Sequence, residues 1–282
     1  YERGKNLSRA NQHDKTVSTF KILLERESNP PHRPDVLLRM GIALYNLGKR
    51  GESVVVLEKL VNDYPAHEQT EEALNWLGRS YSKLGEREKG IRTFQKIVSS
   101  YPEGEWADDA LYYIGNIYRE ANDLKMALKY YGKLASEYPG GKFADSAIWW
   151  NAWAYYGAGE YKKTEQTLQE LVSRYPRSFL VHQARYWQGK TAEKRDDPAR
   201  AALFYGRALQ KGPYTYYGYR AAERLAALGV PPPAAPADIS VDIVPDCGEE
   251  PCSEDPLAAY DTDDGPPVWT DETRQLLAAE PS

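Results

Sequence analysis

The sequence has few residues of the types that bind metals or cofactors. It contains two cysteines and four histidines in 282 residues, and no glycine-rich loop of the kind that cradles phosphate. The histidines are far apart and lack the spacing of metal ligands: His13, His32, His67 and His182. No metal site and no cofactor is therefore predicted.

Two further patterns are missing. No apolar run approaches the roughly 18 residues that cross a bilayer, so no membrane span is expected. The lysines and arginines are dispersed and form no run of the kind that binds nucleic acid, so no nucleic-acid partner is expected either.

Composition and charge point to a folded body with an acidic tail. Apolar residues make up 41% of the chain, and its length exceeds one ordinary core, which predicts two domains or a solenoid. Residues 238–282 carry 13 acidic side chains and one basic one, Arg274, a net of −12 within a total of −5, so the rest carries +7. This split predicts either an anionic partner for the body or mutual attraction of body and tail.

The chain repeats itself every 37 residues. Tyr-Pro occurs at 64–65, 101–102, 138–139 and 175–176, and Gly212-Pro213 continues the register. A small residue lies 24 positions before each of these prolines: Gly41, Gly78, Gly115, Ala152 and Gly189. Another small residue follows twelve positions later, and a large one four positions after that: Leu57, Phe94, Tyr131, Leu168 and Tyr205.

This pattern predicts two antiparallel helices per unit. The small residues let two helices approach, the large residue fills the gap between neighbouring hairpins, and the proline ends the second helix. The connection after the proline is expected to wind as an added turn at the start of the next first helix. Residues 1–30 fit as a unit that has lost its beginning, with Gly4 and Phe20 in the small and large positions. That register would place the start of the array upstream of Tyr1.

The pattern resembles the tetratricopeptide repeat, whose usual period is 34. The predicted fold class is accordingly all-α: an α-solenoid of antiparallel helix hairpins over residues 1–213, in about six units with the first truncated. The Tyr-Pro variant is similar to arrays of bacterial envelope proteins. Because such arrays serve as scaffolds for many purposes, the resemblance predicts fold more than function.

The residues after the array predict a cap and a tail. Residues 214–229 read as a capping helix, with Tyr217, Ala221, Leu225 and Leu228 on one face. Residues 230–268 are acidic and proline-rich, as in a linker or extended arm. Residues 269–282 then begin a further helix, with Thr270 as its N-cap.

Two cysteines lie in the acidic segment. Cys247 and Cys252 have four residues between them, so they could close a small disulfide loop in an exported protein or remain as two exposed thiols. A redox or metal pair is less favoured, because no second pair and no histidine lies nearby.

The capping segment carries a second resemblance. Its sequence YTYYGYRAAERLAALG resembles the end of the superhelical region of soluble lytic transglycosylases, in which a Tyr-Tyr-Gly and an Ala-x-Arg-Leu are typical. The resemblance implies a periplasmic, non-catalytic scaffold of a peptidoglycan-cleaving protein. The alternative is a stand-alone adaptor in envelope or outer-membrane assembly.

The catalytic residues that this family implies are not found in the sequence. The family's acid is a glutamate followed by serine, with Gly-Leu-Met-Gln downstream. Glu27-Ser28 and Glu52-Ser53 fall inside repeats, and no Gly-Leu-Met-Gln occurs. No enzymatic activity is therefore predicted for this chain.

The predicted binding surface lies on the concave face, which the first helices of such arrays line. In two successive units the register places an aromatic band with an arginine at its edge there: Tyr112, Asn116, Arg119, Trp149, Trp153 and Tyr156. Such side chains suit a glycan strand, by stacking on sugar faces, or a partner peptide. The alternative is that Trp149 and Trp153 only pack between repeats.

Overall fold

A computed structural model describes residues 1–27, 30 and 32–231 of the chain. Within these residues the fold is all-α, as predicted, with 13 helices and no strand. The predicted extended arm from residue 232 onward, its two cysteines and the helix capped by Thr270 lie outside the described residues.

Most of the helices are 14 residues long, and they alternate as first and second helices of hairpins. In chain order they are α1 Glu2–Arg9, α2 His13–Arg26, α3 Arg33–Asn46, α4 Arg50–Asp63, α5 Thr70–Lys83, α6 Arg87–Ser100, α7 Ala107–Glu120, α8 Leu124–Glu137, α9 Ala144–Gly157, α10 Tyr161–Arg174, α11 Leu180–Lys194, α12 Pro198–Lys211 and α13 Tyr216–Ala227.

The chain divides into two compact units, and the division falls within α8. Unit 1 comprises Tyr1–Leu134 and Gly140–Lys142, and unit 2 comprises Ala135–Pro139 and the residues from Phe143 onward. In unit 1 the consecutive helices from α1 to α7 pack against one another, and first helices also touch, as α3 touches α5. In unit 2 the helices from α9 to α13 pack in the same way, with α9 touching α11.

The close approach of the two helices in a hairpin depends on the glycine of the first helix. A Cβ added to Gly78 would lie 2.7 Å from the ring of Phe94, and one on Gly115 would lie 2.5 Å from the ring of Tyr131. The large residue therefore covers the glycine of its own hairpin. It also fills the gap to the next hairpin, as predicted, because Phe94 stacks on Tyr113 of the following first helix, with ring centroids 5.3 Å apart.

The connection between hairpins differs from the prediction. After the second helix α4, the N–H of His67 donates to the carbonyl of Tyr64 at 3.1 Å, and that of Thr70 donates to His67 at 2.9 Å. These are two separate turns that precede α5, so the predicted lengthening of the first helix is wrong. Thr70, the first residue of α5, is buried, and its hydroxyl donates to the carbonyl oxygen of Tyr64 at 2.6 Å.

Side chains of the repeated motif tie each connection to the preceding one. The hydroxyl of Tyr175 donates to the carbonyl oxygen of Pro139 at 2.7 Å, and that of Tyr101 donates to Pro65 at 3.4 Å. The tyrosine of the Tyr-Pro motif thus has a partner 36 residues earlier. Proline carbonyls accept hydrogen bonds even though the residue has no N–H to donate.

Helix α13 occupies the place of a further first helix. It packs against α11 and α12, as α11 packs against α9 and α10. Thr215 caps its first turn, accepting a hydrogen bond from the Gly218 N–H at 3.0 Å. Ala221 and Leu225 are buried, and the guanidinium of Arg224 donates to both carboxylate oxygens of Glu193 on α11, from Nε at 3.0 Å and from Nη2 at 2.5 Å.

Candidate partner-binding surfaces

The predicted aromatic residues of unit 2 are packed together between helices. Trp149, Trp153 and Tyr156 are 3%, 8% and 8% exposed. The rings of Trp149 and Trp153 stack with centroids 5.5 Å apart, and the ring of Trp187 on α11 meets that of Trp153 edge-on at 4.4 Å. These tryptophans therefore pack between repeats, and their role in binding stays a prediction.

The predicted residues of unit 1 gather around the hydroxyl of Tyr131. This hydroxyl donates to Oδ1 of Asn116 at 2.6 Å, and the ring lies 6.0 Å from that of Tyr112. Burial raises the pKa of Tyr131, and the nearby charge of Arg119 opposes it, so the phenol stays a neutral donor. Tyr112 is buried, whereas Asn116 and Arg119 are half-buried. The predicted band joining these three residues to those of unit 2 stays a prediction.

Unit 1 also carries a row of carboxylates that sequence reasoning did not single out. Asp35, Glu72 and Asp109 occupy the same position on the first helices α3, α5 and α7, 37 residues apart. The repeat register that places Tyr112 and Asn116 on the concave face places these three carboxylates there as well, one in each repeat.

The carboxylate of Asp35 accepts three hydrogen bonds from side chains. The donors are Nε of Arg39 at 2.7 Å, the hydroxyl of Tyr1 at 2.8 Å and Nε2 of Gln69 at 3.0 Å. Burial acts to raise the pKa of Asp35, but these donors outweigh it and lower the pKa. Asp35 is therefore a structural anion.

The other two carboxylates of the row behave differently. Burial raises the pKa of Glu72, and a hydrogen bond from the indole of Trp76 at 3.4 Å counters it only in part. Burial also raises the pKa of Asp109 to about 7, helped by the neighbouring Asp108 and opposed by the charges of Lys142 and Arg79. Both groups would be stabilised as anions by a further cation.

Between these carboxylates the face of α5 presents an amide and an arginine. Asn75 lies three residues after Glu72 and four before Arg79, so the three share a helix face. Asn75 is fully buried, and neither atom of its amide group has a hydrogen-bond partner among the described residues. The guanidinium of Arg79 lies 4.2 Å from the ring centroid of Trp76 and 5.3 Å from that of Tyr113. Unit 1 thus brings together two carboxylates, an amide and a stacked cation.

Two other kinds of site are absent from the described part of the chain. No group of three or more His, Cys, Asp or Glu side chains there could hold a metal ion. None of the described helices combines the length and the apolar character that a bilayer crossing requires.

The hairpins of residues 35–178 match a known repeat. The family model for the tetratricopeptide repeat matches residues 35–67, 72–104, 109–141 and 146–178, which correspond to α3–α4, α5–α6, α7–α8 and α9–α10. These hairpins are tetratricopeptide repeats. The hairpins α1–α2 and α11–α12 lie outside the matched residues but share their packing, because a Cβ on Gly189 would lie 2.5 Å from the ring of Tyr205.

Solved tetratricopeptide structures share the fold. One, a C-terminal part of a repeat protein from Cytophaga hutchinsonii, has a TM-score of 0.61 at 16% identity, over 80% of this chain and 94% of that one. Another, from Parabacteroides merdae, has a TM-score of 0.54 at 17% identity, over 81% of this chain and 90% of that one.

A third similar structure is YrrB, described as a tetratricopeptide protein with an unusual peptide-binding site. Its TM-score is 0.50 at 14% identity, over 73% of this chain and 99% of that one. No curated protein matched the chain. These likenesses establish an all-α tetratricopeptide fold.

Proposed function

We propose that the chain is a non-catalytic scaffold that binds an extended segment of a partner protein along the first helices of unit 1. The observation that carries this proposal is the pair of carboxylates Glu72 and Asp109, both with raised pKa values, on the neighbouring helices α5 and α7. A lysine or arginine of the partner would lower both pKa values and be bound in return.

The residues between the carboxylates suit the rest of such a segment. A peptide backbone offers an N–H and a carbonyl at each residue, and the unpaired amide of Asn75 can both donate and accept. The rings beside Arg79 add apolar surface for side chains. The peptide-binding site of YrrB, which shares the fold, is consistent with this use.

A glycan strand is the second candidate for a ligand, favoured by the tryptophans of unit 2. The indole N–H groups of Trp149 and Trp153 are buried without a hydrogen-bond acceptor in the described part of the chain. A sugar hydroxyl that reached them would remove that cost. Binding to purified peptidoglycan, retained in a chain with Glu72→Gln and Asp109→Asn, would favour this candidate.

The wider setting we propose is the bacterial periplasm, as the helical scaffold of a soluble lytic transglycosylase. This setting rests on the sequence of α13, YTYYGYRAAERLAALG. The coding sequence beyond Ser282 tests it: a lysozyme-like segment with Glu-Ser and Gly-Leu-Met-Gln supports it, and a stop codon favours a stand-alone envelope adaptor. This chain by itself should not clear a suspension of cell-wall sacculi, and clearance at the rate of an equimolar lytic enzyme would contradict the scaffold role.

Selection from a random displayed peptide library tests the binding site directly. We expect the selected peptides to be enriched in lysine and arginine, and to bind about tenfold more weakly when Glu72→Gln and Asp109→Asn are combined. The charge-matched control is Glu68→Gln with Glu103→Gln, which changes two exposed carboxylates of the connections. Equal binding by both double variants would contradict the proposed site.

A further inference from the structure

Three successive junctions between hairpins use a carboxylate that the last one lacks. Glu71 accepts a hydrogen bond from the N–H of Trp106, and Asp108 accepts one from the N–H of Lys142, both at 2.8 Å. Asp145 accepts one from the hydroxyl of Ser178 at 2.5 Å. In the next unit the same position holds His182. The junction between α12 and α13 therefore has a basic group where the three junctions before it have an acid.

A second difference from the preceding repeats makes this junction more basic. Arg185, half-buried on α11, stands at a position that is apolar and at most 2% exposed in the preceding units, where it is Leu37, Leu74, Leu111 and Ile148. An arginine cannot be buried there as those side chains are, because its charge must stay hydrated or be paired.

The surroundings of Arg185 supply more positive charge. Burial and the nearby charge of Arg207 on α12 both lower the pKa of Arg185, and burial and the charge of Arg185 lower that of His182. Lys211 follows Arg207 by one helical turn, and both side chains are exposed. Among the described residues, no carboxylate forms an ion pair with Arg185 or Arg207. We call His182, Arg185, Arg207 and Lys211 the basic junction.

One polar atom of the basic junction also lacks a partner. Nδ1 of His182 is buried without a hydrogen bond within the described residues, and it lies beside Gly212, where a Cβ would come within 2.6 Å of it. The junction thus combines the mutually repelling guanidinium groups of Arg185 and Arg207 with a ring nitrogen of His182 that has no hydrogen-bond partner among the described residues. A carboxylate there would pair with the guanidinium groups and relieve their repulsion.

We propose that the acidic C-terminal segment of this same chain, residues 238–264, binds at the basic junction. Its charge is opposite, since residues 238–264 hold ten acidic side chains and no basic one. Its first carboxylate, Asp238, follows Pro231 by seven residues, and an extended chain of that length spans up to about 25 Å. A 14-residue helix such as α12 is roughly 21 Å long, so the connecting residues are long enough to run back along a helix. The tether also raises the local concentration of the segment above that of a free acidic peptide.

The two cysteines make this contact measurable, because both lie in the acidic segment and the chain has no others. A chain with Cys252→Ser carries a nitroxide label at Cys247, and paramagnetic broadening of its backbone amide signals is recorded by NMR. We expect signals of residues 180–190 and 204–215 to lose at least half of their intensity at about 50 mM salt. The loss should shrink at about 1 M salt, where screening is strong.

Matched charge variants identify the side chains responsible. Arg185→Gln with Arg207→Gln should reduce the broadening about fivefold, and Arg207→Gln alone, at an exposed site that leaves the fold intact, should reduce it in part. Lys162→Gln with Lys194→Gln removes the same charge from exposed lysines of unit 2 and should leave it unchanged.

Two results would overturn the proposal. One is broadening that is uniform along the chain, or equal in the arginine double variant and the lysine double variant. The other is that a free glutamate decapeptide shifts the NMR signals of the basic junction, whereas the label at Cys247 does not broaden them. That result would assign the site to an acidic segment of another protein. Neither result would bear on the proposed binding site of unit 1, which is tested with carboxylate variants.

Discussion

A carboxylate oxygen of Glu71 accepts a hydrogen bond from the backbone N–H of Trp106, 35 residues later, at 2.8 Å. The oxygen lies directly under Gly104, at a place that a Cβ on that residue would occupy. Because both residues belong to unit 1, this contact connects α5 to the segment that leads into α7. It joins consecutive repeats through polar groups as well as through their apolar cores.

Replacing Glu71 with alanine should lower the free energy of unfolding by about 1–2 kcal/mol, because the half-buried N–H of Trp106 loses its acceptor. Glu71→Gln keeps an oxygen at the same place and should cost less. Urea denaturation followed by circular dichroism measures both. The control is Glu68→Ala, at an exposed glutamate in the preceding connection. A loss no greater in Glu71→Ala than in this control would contradict the role of the contact.

Gly78→Ala should destabilise the chain by about 1–3 kcal/mol. Its Cβ would come within 2.7 Å of the buried ring of Phe94, which cannot move without disturbing Tyr113. Gly132→Ala is the matched control, because Gly132 also lies in a helix but has open space around its Cβ position. Since alanine favours helices, Gly132→Ala should stabilise by up to about 1 kcal/mol. Thermal or urea unfolding that showed the same effect for both would refute the packing argument.

Asp109 should make stability depend on pH. Burial raises the pKa of Asp109 to about 7, whereas its ordinary value is 3.8. Between these values the folded chain holds a proton that the unfolded chain releases, so this group lowers the free energy of unfolding as pH rises from about 4 to about 7. Asp109→Asn removes the effect and should be more stable than the unchanged chain at pH 8, by on the order of 2 kcal/mol, with little difference at pH 4.

Melting temperatures at the two pH values test this prediction. Asp63→Asn, which changes an exposed carboxylate at the end of α4, is the charge-matched control. If Asp109→Asn had the same effect at pH 4 and pH 8, the carboxylate of Asp109 would not be the source of the pH dependence.

Leu225→Asp should loosen the C-terminal end of unit 2. Leu225 is 1% exposed on α13, and a carboxylate buried there without a partner should cost several kcal/mol locally. Because repeats are coupled mainly to their neighbours, hydrogen exchange should rise first in residues 184–210 and least in residues 40–65. Leu203→Asp, at a residue of α12 that is 52% exposed, is the control. Uniform exchange along the chain would mean that α13 does not cap unit 2.

The features that were predicted correctly are those that depend on local chemistry. A 37-residue period, small residues at fixed places and prolines after each second helix specify hairpins, because helix periodicity and chain breaks act over a few residues. The same spacing also predicted the contact between Gly4 of α1 and the ring of Phe20 of α2. The prediction failed for the connections, where the path depends on which neighbouring side chains bind the backbone.

By itself the sequence determined the helices, their pairing and the position of α13, since each follows from spacing along the chain. Only the tertiary structure decided which side chains are buried and which charges meet. It placed Trp149 and Trp153 in packing contacts, raised the pKa values of Glu72 and Asp109, and set Arg185 beside Arg207. The reason is physical: burial and electrostatic interaction depend on distance in space, and two of the charges that shift the pKa of Asp109, those of Arg79 and Lys142, lie 30 or more residues away in the chain.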